Sequence, residues 1–246
     1  MSQKKKPKTP PPPRRVQAPQ RRFDQRDDMG VRQRNILYAV SGAGIVALIV
    51  VVAVIALGGG SSAPNDKKVA GLMTAAGCTF KTVDASVPGG QTHVNSLTKK
   101  LPWNTNPPSN GQHYPEWAVW GFYTEPVNPR MVVHNEEHGG VVLWWGQKTP
   151  QSTVDKLKAF YDEQPTGSFG TPYANFGSRI AITAWTGNPS KYQRNGYFGQ
   201  GHIATCLSYD AKTKKAFEAF RDAYRGHGPE GIPLSADAPG QGPTTQ

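Results

Sequence analysis

The feature that most constrains this chain is an uncharged apolar run from Ile36 to Leu57, interrupted only by Tyr38, Ser41 and two glycines. A helix rises about 1.5 Å per residue, so this run is long enough to cross the ~30 Å hydrocarbon layer of a bilayer. Cleaved signal peptides usually carry only about 7 to 15 apolar residues. Although residues 54–56 resemble a weak cleavage site, the length of the run predicts one retained transmembrane helix over residues 36–57.

A basic tail, residues 1–35, precedes this run. It contains eleven Lys and Arg against three Asp, a run of four prolines and few apolar side chains. A segment of this composition buries too little apolar surface to offset the entropy of ordering, so we expect it to be disordered. The tail has a formal charge of +8, which leaves only +3 of the chain's +11 for everything that follows.

The charges around the apolar run predict its orientation. Arg32 and Arg34 lie directly before it, whereas residues 58–64 after it form an uncharged linker. The positive-inside rule therefore predicts a single-pass membrane protein with a cytoplasmic N-terminus and an extracytoplasmic C-terminal domain. The lipid bilayer, with its anionic cytoplasmic leaflet, is the expected partner of the tail. Nucleic-acid binding is disfavoured, because Phe23 is the one aromatic residue among the charges of the tail.

Residues 65–234 predict one exported α+β domain. Apolar stripes at helical spacing follow Asn65, Pro150 and Asp210, all of which suit the start of a helix. β-branched and aromatic runs predict strands, at residues 131–133, 141–145, 179–185 and 202–207. This order predicts a small, mostly antiparallel sheet covered by helices. The Pro-, Gly- and Gln-rich segment 235–246 predicts a loose C-terminal tail.

Cys78 and Cys206 are the two cysteines of the chain. In a domain that faces an oxidising compartment, such a pair predicts one disulfide, which would tie the end of the first helix to a strand near the far end of the domain. Two alternatives stay open. One is a redox-active thiol, although neither cysteine has a CxxC partner, and the other is a cysteine pair that shares a soft metal.

The segment 131–146, MVVHNEEHGGVVLWWG, places polar residues between two apolar runs. We interpret the runs as strands on either side of a turn, which the glycine pair allows to close. If the turn is helical, His134 and His138 point the same way with Glu137 beside them. Such a set suits metal ligation or acid–base chemistry. The alternative is a polar turn whose side chains cap backbone groups.

A second polar loop, residues 106–115, is stiffened by three prolines and presents His113. Its sequence PPSNGQHY, and the sequence VHNEEHGG at 133–140, resemble the two signature motifs of the domain of unknown function 3105 family. The resemblance covers about residues 75–230. It implies an exported domain behind one membrane helix, of a kind found mainly in actinobacteria and related bacteria, and it implies no established activity.

The resemblance carries over five positions as candidate metal or ligand residues, namely His93, His113, His134, Glu137 and His138. The chain departs from the family pattern at Asn110, which preserves the turn, and at Glu136, which we expect to face solvent. His202 and His227 are not carried over, and we expect both to be satisfied histidines of the core.

Three functions are compatible with these residues. Four imidazoles and one carboxylate suit a Zn²⁺ or Cu²⁺ ion. A metal-assisted hydrolase with Glu137 as general base is the second, although no Ser or Cys nucleophile stands in a recognisable setting. The third is a non-catalytic protein whose histidines hydrogen-bond the loops together and whose exposed aromatic residues bind a cell-envelope protein or a cell-wall polymer. We predict a histidine-rich metal- or ligand-binding site and leave enzymatic activity open.

Overall fold

The computed structural model describes residues 66–243. The predicted basic tail at 1–35, membrane helix at 36–57 and linker at 58–64 lie outside the described residues. Among residues 66–243, every helix is too short or too polar to cross a membrane. The described part is nearly all of the domain predicted at 65–234, together with most of the C-terminal segment.

The described chain contains four α-helices and five β-strands. The helices are α1 (Asp66–Ala75), α2 (Pro129–Glu137), α3 (Gln151–Glu163) and α4 (Ala211–Tyr224). The strands are β1 (Thr79–Asp84), β2 (Val141–Gly146), β3 (Ser168–Tyr173), β4 (Ile180–Thr186) and β5 (Gln200–Cys206).

These strands form one sheet in the order β1-β5-β4-β2-β3. Strands β2 and β3 run parallel, because α3 connects them as a crossover. The other neighbouring strands in this sheet run antiparallel. The predicted α+β class, with a mostly antiparallel sheet covered by helices, is therefore confirmed.

The two faces of the sheet pack against different partners. On one face, Leu143 of β2 belongs to a large apolar cluster that includes residues of α1, α3 and α4. On the other face, Val142 and Trp144 pack with Trp120 and with Val132 of α2. Because successive residues of a strand point to opposite faces, β2 is buried along its whole length. Helix α2 and the long loops lie on the face opposite the other three helices.

Residues 131–133 are helical, so our interpretation of them as a strand is wrong. Asn128 caps α2 by accepting a hydrogen bond from the N–H of Arg130, and Pro129 lies at the first helical position, where its missing N–H costs nothing. Two valines of this turn are fully buried. Tertiary packing therefore outweighs the weak helix propensity of β-branched residues.

Strands β1 and β3 were not predicted from the sequence. Both lie at an edge of the sheet. β1 includes the charged residues Lys81 and Asp84, and β3 includes Gly170 and Pro172, which are tolerated mainly at edges and bulges. Gly170 makes room for the ring of Phe122, which lies 2.3 Å from the position that a Cβ would occupy. Edge strands of this kind lack the apolar periodicity on which prediction depends.

The disulfide between Cys78 and Cys206 is confirmed, with the two Cα atoms 4.4 Å apart. Cys78 follows α1, and Cys206 ends β5. The bond joins the start of the domain to the strand next to β1, and it bridges 128 positions of sequence. Neither cysteine is available as a free thiol.

The C-terminal segment was predicted to be loose from residue 235, but its described part, to residue 243, packs on the domain. The N–H of Trp120 donates to the carbonyl of Gln241, and the N–H of Gly240 donates back to the carbonyl of Trp120. The side chain of Asp237 is buried. These contacts outweigh the flexibility that the Pro- and Gly-rich composition suggests.

Candidate metal centre

Helix α2 places three of the candidate residues on one face. His134 and Glu137 are three positions apart, and His138 follows as the C-cap, one turn after His134. The side chain of Asn135 holds the helix in place, because it accepts from the N–H of Ala118 at 2.9 Å and donates to the carbonyl of the same residue at 2.9 Å. The orientation of this face is therefore set by the loop that precedes the helix.

The other two candidates lie in two loop segments that are separate in sequence and run side by side. His93 and His113 form a parallel β-bridge. Close to this bridge in sequence, Asn110 is buried and accepts a hydrogen bond from the N–H of Ser86 at 3.1 Å. The chain then turns at Gly111, where φ is 103° and a Cβ would lie 2.9 Å from a backbone oxygen. Asn110 thus preserves the turn, as expected from the sequence.

These segments bring together four of the five predicted residues. The ring nitrogens of the three histidines surround one carboxylate oxygen, which belongs to Glu137. Oε2 of Glu137 lies 2.9 Å from Nε2 of His113, 3.6 Å from Nε2 of His93 and 3.8 Å from Nε2 of His134. One ligand atom from each of the four side chains lies within 4.8 Å of the others. Three of the four residues are buried, whereas the side chain of His93 is 41% exposed. The group therefore opens to solvent at His93.

Backbone carbonyls fix the tautomers of two of these histidines. Nδ1 of His113 donates to the carbonyl of Gly111 at 2.8 Å, and Nδ1 of His134 donates to the carbonyl of Tyr114 at 3.0 Å. Because a carbonyl oxygen only accepts, each Nδ1 carries a proton. In the neutral rings, Nε2 then presents a lone pair to Glu137, whose carboxylate oxygen also presents a lone pair.

Three buried atoms at this point have no hydrogen-bond partner among the described residues, namely His93 Nε2, His113 Nε2 and Glu137 Oε2. Buried polar atoms are seldom left in this state. A proton on one imidazole would join one ring to the carboxylate and leave the other ring unpaired, whereas a cation accepts lone pairs from all of them. Ligands about 2.0–2.1 Å from a tetrahedral Zn²⁺ ion lie roughly 3.4 Å from one another, in the middle of the distances found here. The group could therefore hold a metal ion.

The residues of this group lie within a defined protein family. A family model described as "Protein of unknown function (DUF3105)" matches residues 93–235, which is more than half of the chain and includes all five candidate residues. The chain belongs to this family. No curated protein and no solved structure gives a significant match. These comparisons assign no activity to the DUF3105 domain, so its function is inferred from the residues of the site.

Glu137 stays charged in this DUF3105 domain although it is fully buried. Burial acts to raise its pKa, but protons that His113 or His93 can share with the carboxylate, and the hydrogen bond from Tyr192, outweigh that effect and hold the pKa well below its usual range. Burial, together with repulsion from His113, lowers the pKa of His134 to about 3. The ring of His134 is thus neutral at physiological pH, which is the form that binds metal. The contact with Glu137 raises the pKa of the more exposed His93.

Tyr192 completes the surroundings of the carboxylate, and sequence reasoning missed it. Its hydroxyl donates a hydrogen bond to Oε1 of Glu137, which leaves Oε2 to the histidines. Burial and the neighbouring carboxylate raise the pKa of Tyr192, so the hydroxyl keeps its proton. Trp185 packs edge-on against the ring of His113 at 5.8 Å. Tyr192 lies in a Gly- and Tyr-containing loop without a recognisable motif, so no sequence signal pointed to it.

His138, the fifth predicted residue, contacts a separate pair of carboxylates. Its Nε2 lies 3.6 Å from Oε2 of Glu230, and its Nδ1 lies 3.6 Å from Oδ1 of Asp237. The loop that carries Glu230 folds tightly onto the end of α2, where Gly139 has a φ of 111° and a Cβ on it would lie 2.8 Å from the nitrogen of Gly228. Glu230 and Asp237 were both missed, since Asp237 falls in the segment expected to be loose.

Glu136 does not face solvent, contrary to the sequence-based expectation. It is fully buried on the side of α2 that faces the sheet, and it accepts a hydrogen bond from Thr183 of β4. The indole of Trp144 donates in turn to Thr183 at 2.6 Å. Burial raises the pKa of Glu136 well above its usual range. The residue belongs to the packing beneath the site.

The two remaining histidines differ from each other. His202 is a satisfied core residue, as predicted, with Nδ1 3.0 Å from the hydroxyl of Thr82 and Nε2 2.8 Å from the hydroxyl of Thr186. His227 is exposed, so the prediction that it belongs to the core is wrong. It follows the end of α4, in the loop that turns back toward the site.

Proposed function

We propose that this domain binds a divalent transition-metal ion through His93, His113, His134 and Glu137. The observation that carries the proposal is the meeting of three buried atoms without a hydrogen-bond partner among the described residues: two imidazole nitrogens and one carboxylate oxygen. One metal ion can accept a lone pair from each of these three atoms. Nε2 of His134, 3.8 Å from the same carboxylate oxygen, supplies a fourth ligand.

The types of ligand favour Zn²⁺ or Cu²⁺. Three imidazoles and one carboxylate match the nitrogen-rich sites of these ions, whereas Mg²⁺ and Ca²⁺ prefer oxygen ligands throughout. The disulfide leaves no thiolate in the described domain to favour a softer ion. The second shell is also of the expected kind, because the Nδ1–H groups of His113 and His134 donate to backbone carbonyls.

We also infer that residues 36–57 anchor this domain on the extracytoplasmic side of a membrane, with the basic tail on the anionic inner leaflet. The apolar run, the arginines before it and the oxidised cysteine pair support this topology. The metal site would then serve the cell envelope, where a protein or polymer partner is expected. Protease added to intact spheroplasts should remove the domain and spare the tail; the reverse pattern would contradict the topology.

Calorimetric titration of the full chain with Zn²⁺, in parallel with Cu²⁺, tests the binding function. The protein is kept in mild detergent because of its predicted membrane helix. We expect at least one equivalent to bind the parent chain, and His113→Gln to weaken binding of the first ion at least about 100-fold, since it removes a central ligand. The matched control is His227→Gln, which changes an exposed histidine outside the group and should bind like the parent. Absence of binding, or equal affinity in parent and His113→Gln, would overturn the proposal.

A further inference from the structure

A second set of ligand atoms adjoins the first. One atom each from His134, His138 and Glu230 lies within 4.8 Å of the others. Nε2 of His138 is 3.6 Å from Oε2 of Glu230, and the rings of His134 and His138 have centroids 4.9 Å apart. This set contains two imidazoles and one carboxylate. The first set has the same composition when His134 is left out of it.

Asp237 gives an independent reason to regard the second set as a site. Its side chain is only 1% exposed, and neither of its carboxylate oxygens has a hydrogen-bond partner among the described residues. Oδ1 lies 3.6 Å from Nδ1 of His138. A carboxylate in this position attracts the ring proton to Nδ1, which leaves the lone pair of Nε2 directed toward Glu230. Histidines that bind metals commonly have such a carboxylate at their other nitrogen.

His134 belongs to both sets, but it can serve only one ion at a time. Its Nδ1 carries the proton donated to the carbonyl of Tyr114, so Nε2 has the one lone pair available. With a single ion bound, His134 completes the first set. With two ions bound, it can join His138 and Glu230, and each ion then has two imidazoles and one carboxylate.

We propose that the pocket takes two metal ions, an inference that rests on the proposed metal-binding function. His93, His113 and Glu137 hold the first ion. The second is held by the ring nitrogens of His134 and His138 and by the carboxylate of Glu230. Three protein ligands leave a position on each ion open to water or to another ligand.

The charge of the pocket suits more than one divalent cation. Three carboxylates, those of Glu137, Glu230 and Asp237, contact its histidines. The salt bridges of Lys158, Lys214 and Arg221 go to carboxylates other than these three. One divalent ion offsets only two of these negative charges, so the pocket retains charge to attract a second.

The zinc content of the full chain tests this proposal. The protein is stripped with a chelator, refilled with excess Zn²⁺, desalted and analysed for zinc per chain by mass spectrometry. We expect two zinc ions in the parent and one in Glu230→Gln, because the variant loses the one charged ligand of the second set. Glu125→Gln removes an exposed carboxylate outside both sets and should retain two. Circular dichroism establishes that each variant is folded, and His138→Gln replaces Glu230→Gln if the latter is not.

A second measurement uses Cu²⁺ to test the distance between the ions. Two Cu²⁺ ions at the ~3.5–4 Å spacing of many two-metal sites couple magnetically, so a doubly filled parent whose paramagnetic resonance signal integrates to fewer spins than ions would place the two ions at that spacing. In Glu230→Gln the signal should equal one spin for one ion.

Each outcome of the zinc analysis decides a different point. One zinc per chain in both parent and Glu230→Gln would overturn the second ion and leave the proposed function intact. No zinc in the parent would overturn both. Loss of both ions from a folded Glu230→Gln variant would also contradict the proposal, because the first set would then depend on Glu230.

Discussion

At the scale of single residues, the two oxygens of Glu137 have different partners. Oε2 meets the imidazoles, whereas Oε1 accepts a hydrogen bond from Tyr192. Tyr192→Phe removes that donor and frees the carboxylate to rotate away from the histidines. Since loss of a second-shell partner commonly costs about 10- to 100-fold in metal affinity, we expect a decrease of that size in a competition titration, with unchanged stoichiometry.

The control for this variant is Tyr197→Phe in the same loop. The hydroxyl of Tyr197 accepts a hydrogen bond from the N–H of Asn188 and does not contact the histidine cluster. Removal of the Tyr197 hydroxyl should leave the metal affinity equal to that of the parent chain. Equal affinities for Tyr192→Phe and Tyr197→Phe would show that the hydroxyl of Tyr192 does not position the carboxylate.

His202 should make the stability of the fold depend on pH. Burial lowers its pKa to about 4, below the ordinary value of 6.5. Because the folded pKa is the lower one, the unfolded chain binds the proton first as the pH falls. The contribution of this residue is therefore complete above pH 6.5 and is lost between pH 6.5 and pH 4, by on the order of 3 kcal/mol.

Chemical denaturation across this pH range, with a chelator present, measures the effect. His202→Gln cannot titrate, so its free energy of unfolding should fall less steeply between pH 6.5 and pH 4 than that of the parent. His227→Gln is the control, since it replaces an exposed histidine that lies outside the buried core. Parallel curves for the parent and His202→Gln would contradict the assignment of the slope to this buried ring.

Individual residues of the site were predictable only where a motif marked them. His113, His134 and Glu137 lie in two short polar segments between apolar runs, and the structure brings them together with His93. Tyr192 and Glu230 come from loops without such a marker, and only the fold carries them to the site. Glu136 was misjudged because a charged residue beside polar neighbours usually faces solvent, whereas here Thr183 pairs with it inside the domain.

At the scale of elements, the tight junction between α2 and β2 sets the position of the histidines. A Cβ on Gly140 would lie 2.5 Å from the ring of Trp120 and 2.7 Å from the carbonyl oxygen of Asn135. Trp120 is almost fully buried, so its ring has little free space beside it. We expect Gly140→Ala to lower the free energy of unfolding by about 1–3 kcal/mol or more and to weaken metal binding.

Gly71→Ala is the matched control for the junction. Gly71 lies exposed inside α1, and a Cβ there would have no atom within 4 Å. Alanine should raise the free energy of unfolding by about 0.5–1 kcal/mol, because it favours the helix over the unfolded chain. A Gly140→Ala variant as stable as this control in thermal denaturation would mean that the junction is not closely packed.

The helix α2 also shows why the element was misread from the sequence. Its short apolar start, with two valines, has the composition of a strand, and periodicity cannot distinguish a short buried strand from a buried helical turn. The helix signal is Asn128 followed by Pro129, a cap and a first-position proline. Long amphipathic helices such as α3 and α4 were predicted because their apolar stripes extend over several turns.

At the scale of the whole molecule, the disulfide links Cys78, which follows α1, to Cys206 at the end of β5. The bond closes a loop of 128 positions. On the chain-entropy account, a closed loop of this length stabilises the fold by about 4–5 kcal/mol. Reduction, or the double variant Cys78→Ala/Cys206→Ala, should lower the denaturation midpoint accordingly. A midpoint that is unchanged by reduction would show that the reduced chain keeps its compactness by packing alone.

The class of the fold was predictable because the central elements carry strong patterns. β2, β4 and β5 are continuous apolar or alternating runs, and they form the middle of the sheet. The edge strands β1 and β3 and the loops on the face of α2 are fixed by long-range contacts, such as the bridge between His93 and His113, and no local pattern encodes these. The site lies on this loop-rich face, so its completeness could not be judged from the sequence.

The central claim is that His93, His113, His134 and Glu137 surround a metal ion, and anomalous diffraction from crystals grown with Zn²⁺ tests it most directly. With data collected on both sides of the zinc absorption edge, we expect a peak about 2.0–2.2 Å from Nε2 of His93, Nε2 of His113 and Oε2 of Glu137. The same crystals would reveal which ion His134 binds. Zinc found only elsewhere on the domain, with these three atoms still unpaired, would contradict the account.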